Sequence, residues 1–205
     1  LKYAVDTDGD GDAGVVIEES ADNNTIFLYA ANKADGRSAA DGRDKAYIRK
    51  IDGRTGTVAW TKTFDASAEN AGGAYAPVHI GKNELNGTII ASLSAAALND
   101  GTDGGLIIAL DKSTGEEKWR VEQADGIWSA PVVIYDENGK GYILQCDRGG
   151  KLTLYSGIDG QAMCSIDLGS RIESTPAVFN NTLVVGTRGV DGSGQGPKIV
   201  GIRIG

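Results

Sequence analysis

The sequence predicts an all-β protein, a β-propeller of about four four-stranded antiparallel blades, and three observations carry that prediction. First, a nine-residue pattern recurs: Asp52-Gly-Arg-Thr55-Gly56-Thr-Val-Ala-Trp60 and Asp111-Lys-Ser-Thr114-Gly115-Glu-Glu-Lys-Trp119 both read Asp-x-x-Thr-Gly-x-x-x-Trp. A degenerate copy runs from Ser156 through Asp159-Gly160 to Cys164 over the same span. Second, each copy is followed by a Pro-led apolar run, at Pro77, Pro131 and Pro176. Third, short runs rich in β-branched residues lie between these landmarks and are bounded by turn residues, as strands are. Repeats of this length are the signature of propeller blades.

Taken along the chain, Tyr3 lies twelve residues before Val15, as Trp119 does before Pro131 and Cys164 before Pro176. Lys2–Val5 is therefore expected to be the outermost strand of a blade, with Tyr3 in the Trp position. Thr25–Ala30, Ala46–Ile51 and the Trp60 strand complete the next unit. The run from Pro77, Thr88–Leu93, Gly105–Leu110 and the Trp119 strand form another. The run from Pro131, Gly141–Cys146, Lys151–Tyr155 and the Cys164 strand form a third, and that from Pro176, Thr182–Thr187 and Lys198–Arg203 a fourth that lacks its outer strand. The blade units fall at about 13–63, 74–121, 129–168 and 174–205 with 1–5, each strand five or six residues long. Thr-Gly makes the turn into the outer strand, where Gly accepts positive φ without steric cost. The Trp gives a large apolar face to dock on the neighbouring blade. Three arrangements satisfy the incomplete ends: four blades closing on themselves, two chains making an eight-bladed ring, or an ordered piece of a longer chain. A first residue of Leu1 instead of Met fits the last.

Composition narrows the partners. Gly counts 30 of 205 residues and Pro only 4, which suits many tight turns. The net charge is −8, which disfavours nucleic acid and anionic membrane surfaces, since both need a positive field. No apolar run approaches the roughly 18 residues of a membrane-spanning helix, so no membrane insertion is expected.

The blade pattern resembles the pyrroloquinoline-quinone-like (quinoprotein-type) repeat family: Ala109-Leu110-Asp111 to Trp119 followed by Ser129-Ala130-Pro131-Val132-Val133 is a close match, and Lys50-Ile51-Asp52 to Trp60 followed by Ala76-Pro77-Val78 a good one. The resemblance implies a propeller and two functional classes, quinoprotein dehydrogenases and non-catalytic scaffolds. Quinoprotein alcohol dehydrogenases typically carry a vicinal Cys-Cys pair, absent here, and there is no Cys-x-x-Cys-His haem site. The expectation is thus a non-catalytic bacterial protein, extracellular, at the cell surface or periplasmic, that binds a protein or glycan, with no pyrroloquinoline quinone. A fragment of a quinoprotein oxidoreductase is the alternative. A second chain or a further segment is expected to complete the ring.

Three local signals remain. Asp6-Thr-Asp8-Gly-Asp10-Gly11-Asp12 matches the start of a calcium loop, so Asp6, Asp8, Asp10 and Asp12 are candidate Ca²⁺ ligands, with Glu18 a weaker addition. Without a cation, four carboxylates in seven residues repel one another. The lone His79 lies on an inner strand and reads as a packed channel-wall residue rather than a catalytic one. Cys146 and Cys164 fall two strands apart, beyond disulfide reach, and are expected to be free and largely buried. The long connections 32–45, 94–104, 188–197, 64–75 and 6–12 all fall on one face, with Tyr75 and Trp128 packed about the channel mouth there. Asp35-Gly36 and Asn99–Asp103 read as turns.

Overall fold

The computed structural model describes residues 2–20, 24–34, 36, 42–189 and 196–204. Among these, every regular element but one is a strand; the exception is a 3-10 turn at Asn83–Leu85. The first blade comprises β1 (Val16–Glu19), β2 (Ile26–Ala31), β3 (Arg43–Asp52) and β4 (Val58–Ser67), paired in that order and antiparallel. The second comprises β5 (His79–Ile80), β6 (Thr88–Ala97), β7 (Asp103–Asp111) and β8 (Glu117–Gln123). The third is β9 (Val132–Tyr135), β10 (Gly141–Cys146), β11 (Lys151–Ser156) and β12 (Ala162–Asp167); the fourth has only β13 (Ala177–Phe179), β14 (Thr182–Thr187) and β15 (Lys198–Arg203). The blades form an open arc of a propeller.

Packing between blades follows the period of two. Tyr29, Ile48, Trp60 and Phe64 of the first blade bury against Ile89, Leu93, Leu106 and Ile108 of the second. The opposite face of the second blade, with Ile90 and Ile107, meets Ile143 and Tyr155 of the third. Leu144, Cys146 and Leu152 meet Leu183 and Val185 of the fourth. The middle strands of the second and third blades are thus apolar on both faces, as a sheet covered on two sides must be.

The Thr-Gly turns and the rings work as a pair. Gly56, Gly115 and Gly160 have φ of 80°, 75° and 73°. A side chain on each would press within 2.7–2.8 Å of the ring of Tyr3, Trp60 and Trp119 respectively. Each ring also donates a hydrogen bond to the carbonyl at the start of that turn: Tyr3 to Gly53 at 2.6 Å, Trp60 to Lys112 at 3.1 Å, Trp119 to Gly157 at 3.2 Å. Tyr3 therefore occupies the Trp position, as its spacing predicts. Its segment differs from expectation: Lys2–Val5 has no ladder partner, because no described strand lies beside it.

Two further expectations are corrected. Strands β3, β4, β6 and β7 run nine or ten residues rather than five or six. Segments 64–67 and 94–97, read as loop, continue the ladders instead, and Ala66 pairs with Ala96 across the first two blades. Small Ala and Gly side chains permit this close approach: a Cβ on Gly72 would lie 2.4 Å from the Ala95 carbonyl oxygen. Cys164 is exposed, not buried, and Cys146 is buried; both are free. Strand β12 is exposed throughout, and among the described residues no second strand pairs with β15 to cover it.

Candidate functional site

One position recurs in all four blades at the far end of the second strand. The register pairs Tyr29 with Lys50, Ile90 with Ala109, Leu144 with Leu154 and Val184 with Gly201. Four residues beyond the first member of each pair stand Lys33, Ser94, Arg148 and Arg188. Their backbone N–H groups confirm the equivalence: each donates to the segment leading into its blade, at Asp10 (3.0 Å), Gly73 (2.8 Å), Gly126 (2.9 Å) and Arg171 (2.8 Å). Three of four are basic, on a chain whose net charge is −8.

Aromatic residues join them into a band. The Lys33 ammonium lies 5.0 Å from the centre of the Tyr75 ring, and Tyr75 stacks on Trp128 with centroids 4.8 Å apart and planes 17° apart. The Arg148 guanidinium lies 4.0 Å from the centre of the Trp128 ring. Glu173 then gathers Arg148 (3.5 Å), Arg171 (3.6 Å) and Arg188 (3.3 Å) about one carboxylate. The Tyr75 hydroxyl is anchored by donating to the Ala71 carbonyl at 3.0 Å. Tyr75 and Trp128, expected to pack about the channel mouth, pack on each other. The basic members were not anticipated. Alignment on the second strands finds Lys33, Arg148 and Arg188; alignment on Trp and Pro does not.

The acidic loop is drawn into this band and its surroundings. Asp10 and Asp12 pair with Lys33 at 3.3 and 2.6 Å, and Asp8 pairs with Arg49 at 2.7 Å. Arg49, buried, also donates to the Thr7 carbonyl, and Asp6 accepts from the Asp8 N–H at 2.9 Å. Three of the four carboxylates are thus divided between two cations, and Asp6 caps the backbone of the loop. Among the described residues no group of three or more His, Cys, Asp or Glu side chains is placed to hold a metal ion. Lys33 is held above the usual lysine range by the Asp12 hydrogen bond, with burial opposing. Glu18 points elsewhere, into the seam between the first two blades. There it takes the Lys112 ammonium at 2.5 Å and the Tyr29 hydroxyl at 2.7 Å.

His79 and the two cysteines are the remaining candidates. His79 sits half-buried on β5, paired with Ile90, and burial lowers its pKa, with Lys82 adding to the shift. Burial and then the charge of Asp147 push the Cys146 thiol up to about 12, so it stays protonated. The cysteines lie on β10 and β12 with β11 between them. The Trp at the mouth is already stacked by Tyr75 and approached by Arg148. Of the turn candidates, Asp35 and part of 188–197 lie outside the described residues, whereas Asp100 caps its own turn by accepting from Thr102 at 2.9 Å.

Comparison with known proteins places this architecture. Residues 46–143 match the family described as glucose/ethanol/alcohol dehydrogenase, β-propeller domain, so that stretch is a quinoprotein-type propeller repeat. No curated protein matches the chain. Among solved structures it is similar to BamB from Moraxella catarrhalis, with a TM-score of 0.54 and 17% identity over 92% of this chain and 45% of that one. A europium-containing methanol dehydrogenase gives a TM-score of 0.58 and 15% identity over 87% of this chain and 39% of that one. The computationally designed Ika4 protein gives 0.50 and 16% over 94% and 92%. At such identities the likeness is one of fold. The chain spans less than half the length of the BamB and methanol dehydrogenase chains.

Proposed function

We propose that this chain is the arc of a non-catalytic binding propeller whose long-connection face takes a protein partner. The supporting observation is the band from Lys33 through Tyr75, Trp128 and Arg148 to Arg188: its basic members stand just beyond the second strands of three blades and its aromatic members on the segments leading into the second and third, all presented on a rigid scaffold. Arg and aromatic residues dominate the energetics of protein interfaces. A protein segment carrying carboxylates or carbonyls suits guanidinium donors. A sugar ring needs a bare aromatic face, and Tyr75 and Trp128 already carry each other and a cation apiece, so a peptide is favoured over a glycan. The resemblance to bacterial surface and periplasmic propellers supports an extracytoplasmic location; no helix among the described residues is long and apolar enough to cross a membrane.

The test is a parallel screen of defined peptide and glycan arrays with the parent, Trp128→Ala and Arg148→Ala. Peptide binding that both variants lose supports the reading. Adding pyrroloquinoline quinone with Ca²⁺ and finding dye reduction by an alcohol or sugar would overturn it in favour of a quinoprotein fragment.

Calcium at Asp6, Asp8, Asp10 and Asp12 belongs to this reading in a restricted form. The ion has to displace Arg49 from Asp8 and Lys33 from Asp10 and Asp12, which restricts it to weak sites of the extracellular kind, filled near about 1 mM. Ca²⁺ is then expected to raise the melting temperature only in that range, and less in Asp10→Ala. An unchanged melting temperature in the parent removes the ion from the proposal.

A further inference from the structure

The repeat lets the first two seams be compared layer by layer. Phe64 pairs with Ala46, four residues before the Lys50 that faces Trp60. Gln123 pairs with Gly105, four before the Ala109 that faces Trp119. Gln123 is therefore the counterpart of Phe64. By the same registers Leu93, Leu106 and Ile108 of the second blade correspond to Asp147, Lys151 and Thr153 of the third. In the first seam Phe64, Leu93, Leu106 and Ile108 form one buried apolar layer. In the second every counterpart is polar, and with Asp125 and Tyr155 they wall a cavity of about 450 Å³. The corresponding hollow of the first seam is smaller, about 320 Å³, with Phe64 and Leu106 in its wall. Polar groups cost free energy in a seam unless they are paired, so a whole polar layer here points to a guest.

The wall is rich in acceptors. Asp147 is only 7% exposed, and its Oδ1 accepts the N–H groups of Gly150 and Lys151, both at 2.9 Å. Burial, with the charge of Asp125 adding, holds its carboxyl above the ordinary carboxylate range against those turn hydrogen bonds. Asp125 sits against Gly149, where a Cβ would come within 2.2 Å of the Asp125 Oδ2. Among the described residues no lysine or arginine pairs with either carboxylate; Arg148, the next residue, is spent on Glu173 and Trp128. On the same face of β10 and beside Thr153, the buried Gln145 leaves Oε1 without a hydrogen-bond partner. Lys151 is the one cation among the described residues of the wall.

We propose that this cavity receives a cationic side chain, arginine or lysine, of the protein partner, an inference that rests on the binding reading above. The head of that side chain meets the Asp125 and Asp147 carboxylates, and its aliphatic stem lies along Ala162, Met163 and the Tyr155 ring. A guanidinium brings five N–H donors to a wall that is short of them. The place suits a partner held by the band, since Asp147 directly precedes Arg148 and Asp125 stands three residues before Trp128.

Amide NMR spectra of the isotope-labelled 205-residue chain test this. The probes are blocked Gly-Arg-Gly, Gly-Lys-Gly and Gly-norleucine-Gly peptides, and agmatine as a free guanidinium compound. The arginine or lysine peptide is expected to shift the amides of Asp125, Gly149 and Lys151 saturably, and the norleucine peptide is not. Asp125→Asn/Asp147→Asn, which keeps the turn acceptor, should weaken that binding roughly tenfold or more, because a buried charge loses its partner. Gln123→Phe installs the residue of the first seam and should abolish binding by filling the cavity, with an unchanged strand spectrum. No saturable shift with either cationic peptide, equal shifts with norleucine, or binding untouched by the Asn pair would overturn the proposal. Shifts by agmatine alone overturn it in favour of a free small amine. Peptide hits in the array screen without probe shifts refute the cavity and leave the binding reading standing; probe shifts without array hits do the reverse.

Discussion

Gly115→Ala puts the pairing of turn glycine and ring to a quantitative test, with Gly87→Ala as its control. Both glycines adopt the left-handed conformation, φ 75° and 86°, so both substitutions incur a backbone cost of about 1–2 kcal/mol. A Cβ on Gly87 meets nothing within 4 Å, whereas one on Gly115 lies 2.8 Å from two Trp60 ring carbons. Carbon contacts are comfortable at about 3.5–4.0 Å, so the Trp60 ring has to retreat by about 0.7 Å. That retreat strains a close-packed seam, at about 1–3 kcal/mol, and it stretches the Trp60 Nε1 hydrogen bond to Lys112 from 3.1 Å. Gly115→Ala should therefore cost about 1–3 kcal/mol more than Gly87→Ala. The excess corresponds to about 2–12 °C of melting temperature in a chain of this size. Urea midpoints of the parent and both variants measure it directly. The cycle is completed in a Trp60→Ala background, where the clash is gone and only the backbone term should remain. Equal costs for the two substitutions, or a Gly115→Ala cost unaltered by Trp60→Ala, would refute the reasoning.

The seam between the first two blades should also report pH. Burial pushes the Glu18 carboxyl up, but hydrogen bonds from Lys112 and Tyr29 and the charges of Lys112 and Lys50 outweigh it, so its pKa lies below the ordinary 4.5. A depressed carboxyl stabilises fully above its unfolded pKa and loses that contribution as pH falls through the folded one. The parent should then exceed Glu18→Gln in urea midpoint at neutral pH, with the gap closing below pH 4.5; a gap that widens on acidification contradicts this. The thiols divide by exposure. A maleimide should label Cys164 in the native state and Cys146 only after unfolding, read by mass spectrometry. Rapid native labelling of Cys146 would mean that the core around it is not closed.

Much of this was legible in the sequence, and what was missed has physical reasons. Spacing to the Pro-led strands identified Tyr3 as the counterpart of Trp119, because the ring and the next blade's turn must meet at a fixed distance along the chain. Strand ends were harder. Ala96–Ala97 and Asp103–Gly104 lack the β-branched residues that mark strands, yet they extend the ladder, and the neighbouring Ala66 and Gly72 allow close approach. The acidic loop read as a cation site because like charges need compensation. The compensation is supplied by Lys33 and Arg49, which lie 21 and 37 residues beyond Asp12 and come near only through strand pairing. Cys164, expected to be buried from its place on a strand, is exposed, because burial at that position depends on what the following blade lays over it.

That last dependence sets an order of local stability along the arc. Blades stacked in a row hold one another through nearest-neighbour contacts, and their opening free energies sum accordingly. The first two seams are each closed by an indole and its hydrogen bond, while the third has a thiol in that position and a cavity beside it. Amides of β13 and β14 should therefore exchange with solvent deuterium through a sub-global opening of the final sheet alone, well before those of β6 and β7. Any ligand or chain that occupies the cavity would slow that exchange first, which makes the last blade a built-in reporter of occupancy at its own edge.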